Sequence, residues 1–147
     1  MLTTPVVLVG CSKSKALGSA PARHLYTSDL FRKSVAYAEC RGLPWAILSA
    51  LHGLVLPDEV LEPYDFSAMK LKAGGSASLR VWGDKVAAQL EAAFPRAHFV
   101  LLAGTLYRAA VAPLGTSRYT EPMAGLEIGE RLQWLKREIR EPKAVAL

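Results

Sequence analysis

Cys11, Ser12, Lys13, Ser14 and Lys15 follow five apolar or small residues, Val6 to Gly10, without a break. A thiol, two hydroxyls and two ammonium groups at the end of a short apolar run suit an anionic ligand. The lysines supply charge, and Ser12, Ser14 and the loop amides supply directed hydrogen bonds. Ser12 would become a nucleophile only beside a base, and Cys11 reads as a packed small hydrophobe at a strand end rather than a reactive thiol. In "SALHGLVLP", Ser49 closes a second apolar run, His52 follows in a loop and Gly53 permits a tight turn. An imidazole titrating near neutrality can protonate a leaving base, orient water or contact phosphate. In "EVLEPYD", Glu59, Glu62 and Asp65 lie near Tyr64. Such carboxylates can activate water or stabilise positive charge on a ribose during N-glycosidic cleavage, and a tyrosine can stack on a base. Glu59 reads better as a loop cap or lysine partner.

Further candidates come from the second half of the chain. "AGTLYR" places the Thr105 amide, after Gly104, at a helix start and brings Tyr107 or Arg108 towards the same edge, an arrangement that also fits a plain strand-to-helix turn. In "GLEIGERLQWL", Arg131 and Gln133 offer polar contacts. Ser28, a candidate helix cap, joins Ser12, Lys13, Lys15, Ser49, Tyr64, Gly104, Tyr107 and Gln133 as an expected ligand contact. His24 and His98 are weaker candidates. No three-ligand arrangement justifies zinc, so neither a metal nor a cofactor is expected. The first loop lacks the Gly-x-x-x-x-Gly-Lys-Ser/Thr phosphate loop, and there is no dinucleotide fingerprint. A generic ATPase or nicotinamide dehydrogenase is disfavoured.

The elements that must hold these residues alternate. "PVVLVG" and "WAILSA" (45–50) read as short buried strands, and "HFVLLAG" (98–104) is the clearest strand. Thr27 or Ser28 can cap a helix over 28–41 that stops at Gly42. Leu79, Trp82, Val86 and Leu90 recur at helical spacing in a helix starting at Ser76 or Ser78. A helix over 105–113, an extended piece at "SRYTEP" and a last helix over 127–140 complete the reading. Residues 51–76 read as a long functional loop. This alternation predicts one α/β domain over 1–147, with three layers, a mainly parallel central sheet and helices on both faces. Right-handed crossovers would bring the loops after Cys11, Ala50 and Gly104 to one sheet edge, where open α/β sheets have their crevice.

At 147 residues one domain is the natural size, and it can bury about two-thirds of its unfolded surface. The two cysteines lack metal spacing and need not pair, which fits a reducing compartment. Neither a leader nor an apolar span is evident, so a cytoplasmic protein without membrane contact is expected. A net charge of +5 permits a nucleic-acid or phosphorylated partner, although the basic residues form no tail.

"VGCSKSK", "APARHLYTSDLFRKSVAYAE", "WAILSALHGLVLPDEVLEPYD" and "MAGLEIGERLQWL" resemble successive motifs of a small bacterial and phage family of unknown function, often labelled peroxide stress protein YaaA-like, over about residues 6–136. The "PYD" match raises Asp65 above Glu62. A more distant resemblance is to the core domain of archaeosine synthase, whose Cys-Ser-x-x-Lys segment is matched by Cys11, Ser12 and Lys15. Ala16 and Leu17 replace the proline-tyrosine pair that follows in that family. This resemblance implies a pocket related to nucleobase modification, repair or removal. The leading expectation is a base-processing enzyme, such as a DNA glycosylase or base-modifying transferase. Lys15 would contact the anion, while His52 and Asp65 would serve as catalytic residues in proton transfer or transition-state electrostatics. The alternatives are a noncatalytic nucleotide- or nucleic-acid-binding stress protein and a structural or partner-binding domain.

Overall fold

Three valines stiffen the first apolar run in an extended form, and it becomes β1 (Val6–Gly10), the central strand of the sheet. In this computed structural model, which describes residues 4–140, a polar loop then leads to the short β2 (Ala20–Pro21) and α1 (Ala22–Leu25). Next come α2 (Asp29–Cys40), β3 (Trp45–Ser49), β4 (Gly53–Val55) and β5 (Val60–Leu61). The second half contains α3 (Ala68–Ala73), α4 (Ser76–Ala93), β6 (Phe99–Leu102), β7 (Tyr119–Thr120) and α5 (Ile128–Arg140).

The main sheet has the order β4-β3-β1-β6-β7, and every neighbour pair is parallel except β3 with β4. Side chains alternate across a strand, so β1 serves two cores at once. Val6 and Leu8 pack with Trp82, Val86 and Leu90 of α4, whereas Val7 and Val9 pack with Leu25, Phe31 and Leu135 from the helices of the other face. Leu8, Leu25, Leu90 and Leu135 are fully buried, each contributing about 1.5–3 kcal/mol of hydrophobic stabilisation. The expected three-layer α/β architecture is therefore present. Because β1, β3 and β6 run parallel, Gly10, Ser49 and Leu102 finish at one edge.

Local signals explain the boundaries. Ser28 caps α2 by accepting a hydrogen bond from the Phe31 amide at 3.1 Å. Two expectations change. The segment over 105–113 forms 3₁₀ turns, Thr105–Ala110 and Ala112–Leu114, instead of one α-helix. Pro113 brings no amide to an i−4 carbonyl, and the turns press so closely on α4 that a Cβ at Gly83 would lie 2.3 Å from the Ala109 carbonyl oxygen. Residues 51–76 are also more ordered than a loop. Gly53, at φ +75°, turns the chain back so that β4 pairs antiparallel with β3, and Gln89 Oε1 accepts the Leu54 amide at 3.0 Å. Among the described residues, no helix is long and apolar enough to cross a membrane.

Candidate functional site

Two segments are moored side by side above the strand ends. The first loop is tied to residues 25–27 by the Ala16 amide to Leu25 carbonyl bond, 2.7 Å, and the Thr27 amide to Ser14 carbonyl bond, 3.0 Å. The segment before Tyr64 is tied to the same place by β2–β5 pairing and by the Ala22 and Arg23 amides, which donate to the Glu59 and Pro57 carbonyls. Lys15, Tyr26 and Tyr64 meet as a result.

Tyr64 is the hub of this meeting. Its hydroxyl lies 2.7 Å from Ser49 Oγ and 2.6 Å from the Tyr26 hydroxyl. Ser49, fully buried, also accepts the His52 amide at 3.0 Å, and its carbonyl accepts Trp82 Nε1–H at 3.1 Å. The Tyr64 ring meets the exposed His52 edge-on, with centroids 4.8 Å apart, and Lys15 Nζ stands 4.3 Å from its centroid. Lys15 Nζ also donates to the Lys13 carbonyl at 3.2 Å. Burial pushes the Tyr26 phenol up to about 12 and raises the Tyr64 phenol as well. Burial lowers the Lys15 ammonium from its ordinary value, a fall opposed by Cys11 and by the Asp65 carboxylate.

A pocket of about 210 Å³ opens beside this hub. Cys11, Ser12, Lys13 and Ser67 provide its polar atoms, while Ala68, Met69 and the Tyr107 ring provide apolar wall. Cys11 joins the two parts. Its half-buried thiol lies 3.2 Å from the Tyr107 hydroxyl, at the pocket wall nearest the hub. Tyr107 is raised by burial and by Cys11, and its ring packs edge-on against Trp82 at 5.7 Å. The Asp65 side chain, two residues before Ser67 of the pocket lining, is 83% exposed, and Lys70 Nζ is 3.1 Å from its Oδ2. The Lys70 hydrogen bond and charge, then Lys13 and Lys15, hold its carboxyl below the usual range.

The sheet edge thus gathers Ser12, Lys13, Lys15, Ser49, His52, Tyr64, Asp65 and Tyr107. Gly104 precedes the turn that carries Tyr107, with its carbonyl accepting the Tyr107 amide at 2.9 Å. Its φ of −64° suits any residue. Ser28 acts as the α2 cap, and Arg108 is held by Glu121. Gln133 faces a different groove, between α2 and α5, with Asp29, Lys33 and Lys136. Tyr26, Ser67 and Met69 escaped the sequence reading. The last two lie two and four residues after "PYD", which was the available signal, whereas Tyr26 sits in "RHLYTS", where nothing local marks it. Among the described residues, no three His, Cys, Asp or Glu side chains gather to hold a metal ion.

The arrangement can seat a small planar or apolar group against Met69 and Tyr107, with an anionic substituent near the lysines. Its volume lies below the roughly 300–1,000 Å³ of sites for drug-sized ligands, so a single ring system suits it better than a large cofactor. Residues 6–137 match DUF6884, a family of unknown function, and the chain belongs to that family. No curated protein matches the chain.

Proposed function

We propose that this member of DUF6884 processes a nucleobase carried by a nucleotide or a nucleic acid, as a glycosylase or a base-modifying transferase. The observation that carries the proposal is the pocket at the carboxyl edge, with a tyrosine ring, Met69 and Lys13 in its lining. The resemblance of Cys11, Ser12 and Lys15 to the archaeosine synthase segment supports the same substrate class. His52 is the group suited to proton transfer, because its ring is exposed beside Tyr64 while its backbone is fixed by Ser49. In a glycosylase reaction, the bond from the sugar to the base breaks with its electron pair leaving on the base. His52 gives a proton to that base, and the water that adds to the sugar carbon returns a proton to His52.

One observation favours a second reading, a noncatalytic binding protein. The carboxylate of Asp65, expected to work with His52, is instead exposed and engaged by Lys70. A single experiment separates the two. The protein is incubated with modified DNA, modified RNA and free nucleosides, and base release or mass change is followed by mass spectrometry. The enzyme reading expects product, with His52→Ala lowering the single-turnover rate by about 10²-fold or more while circular dichroism stays native. Tight binding without product across the panel would leave the binding protein as the function.

A further inference from the structure

Lys70 pairs with the Asp65 carboxylate, and the charges of Lys13 and Lys15 also act on it. Lys70 Nζ is 3.1 Å from Asp65 Oδ2 and donates to the Asp65 main-chain carbonyl at 2.9 Å. Lys15 Nζ stands over the ring of the preceding residue, Tyr64, and Lys13 lines the pocket. The charges of Lys13 and Lys15 add to the Lys70 hydrogen bond and charge in holding the Asp65 carboxyl below its usual range. Among the described residues, neither Lys13 nor Lys15 has a carboxylate within ion-pair distance, so the cluster holds two positive charges beyond those Asp65 balances. Lys13 lines the pocket that Ala68, Met69 and the Tyr107 ring also line, and Lys15 follows it two residues later in the same loop.

We propose that this cluster is a phosphate subsite, and that the Asp65 carboxylate occupies it until the phosphate of an incoming ligand displaces it. The proposal rests on the reading of the pocket as a nucleobase site and narrows its substrate to phosphate-bearing nucleotides, free or within a strand, over free bases and nucleosides. A phosphate monoester carries about −1.5 to −2 charge near neutrality and three acceptor oxygens, against the single charge of a carboxylate, whereas a diester within a strand carries one charge and would displace Asp65 less readily. The pair it must displace is an exposed one, and such pairs are weak. Lys70 would keep its hydrogen bond to the Asp65 carbonyl, so the segment stays moored when the side chain swings away. Asp65 is then a competitor of the ligand, and removing its charge should improve binding.

The test measures affinity of the full chain for inorganic phosphate, nucleoside 5′-monophosphates, the parent nucleosides and a short single-stranded oligonucleotide, by calorimetry at low and moderate salt. Asp65→Asn should tighten inorganic phosphate and the monophosphates by about 3- to 10-fold at low salt, less at moderate salt, and leave the nucleosides unchanged. Asp84→Asn makes the same change of charge in a separate groove beside Ser76 and Arg80 and should alter affinity by less than about twofold. Adding Lys13→Ala to Asp65→Asn should remove the gain. The subsite is overturned if Asp65→Asn weakens or does not change phosphate binding, if Asp84→Asn matches it, or if no phosphate-bearing probe binds either protein. Nucleosides binding as tightly as their monophosphates, with a silent Asp65→Asn, would sink the subsite and leave the nucleobase reading standing. A gain confined to inorganic phosphate, with no added affinity from any base, would keep the subsite and reject the nucleobase reading. An oligonucleotide that gains more than a mononucleotide on Asp65→Asn supports the subsite and makes a strand its source of phosphate.

Discussion

The carboxyl edge of the sheet and the seam between α2 and α5 use the same residue types in opposite ways. In the seam each of the cations Lys33 and Arg41 has a carboxylate. Arg41 Nη2 lies 3.1 Å from Glu138 Oε1 with its guanidinium 3.9 Å over the Tyr37 ring, and Lys33 pairs with Asp29 at 2.7 Å. Tyr37 in turn packs on Trp134, centroids 5.4 Å apart. At the sheet edge the hydroxyls of Tyr26, Tyr64 and Ser49 bond to one another, and Lys15 meets aromatic rings and a carbonyl. The seam pairs Lys33 and Arg41 with carboxylates, and the Arg41–Glu138 pair helps hold two helices together. The edge keeps lysines in excess beside an open pocket, the condition for attracting a ligand.

Alkali should expose this contrast most strongly. The fold keeps the phenols of Tyr26, Tyr64 and Tyr107 protonated beyond their ordinary value near 10, chiefly by burial. Above that pH the unfolded chain has released protons that the native state still binds. Stability therefore falls as pH rises from about 10, and for Tyr26 the loss is complete only above about 12. Each withheld phenol contributes about 1.4 kcal/mol of lost stability per pH unit in that window. In the seam, burial also raises Tyr37, but Arg41 works against the rise. Denaturant midpoints between pH 9 and 11 should therefore drop steeply, and less steeply in Tyr64→Phe than in Tyr37→Phe. Equal slopes for the two variants would show that the edge phenols are not specially held.

The parts of this contrast that could be read in the sequence were those with local causes. Val6 to Val9, Trp45 to Ser49 and Phe99 to Leu102 announce buried strands by β-branching and apolarity, and Ser28 announces a cap. Parallel order then follows from alternation, which is why Ser12, Ser49, His52 and Tyr107 could be assigned to one edge. What could not be read depends on long-range approach. Tyr26 reaches Tyr64 across 38 positions and Cys11 reaches Tyr107 across 96, and no local pattern encodes either meeting. The close approach of the 3₁₀ turns after Gly104 to Gly83 on α4 is likewise a long-range contact. Ser28 and Gln133 were drawn into the expected site because hydroxyls and amides look alike in sequence, whether they cap a helix, line another groove or face a ligand.

Tyr64→Phe, a smaller perturbation, tests the hydroxyl network itself. The ring would keep its contacts with Lys15 and His52, while the Ser49 and Tyr26 hydroxyls would each lose a partner. Both residues are buried, so the loss should be about 1–3 kcal/mol in urea unfolding at neutral pH. Tyr37→Phe in the seam removes a hydroxyl without a hydrogen-bond partner among the described residues and should stay within about 0.5 kcal/mol of wild type. A Tyr64→Phe protein as stable as wild type would mean that water replaces the lost bonds, and the hub would then be wetter than its geometry implies.

The smallest expected effect belongs to Gln133. Its side chain is exposed in the groove between α2 and α5, where Asp29 and Lys33 already pair and Lys136 adds a further cation. That groove also contains basic groups and an amide, so charge alone does not distinguish it from the carboxyl edge. The distinction is that the edge combines its cations with an apolar wall and a buried hydroxyl network, whereas the groove is a solvated junction of two helices. Gln133→Ala should therefore change stability by less than about 0.5 kcal/mol and leave nucleotide affinity within twofold, measured beside Lys13→Ala at the same salt. If Gln133→Ala weakened binding as much as Lys13→Ala, the ligand would have to extend across the start of α2 to reach both. Ser28 and Asp29 would then lie on its path, and the seam would be part of the site instead of its structural counterpart.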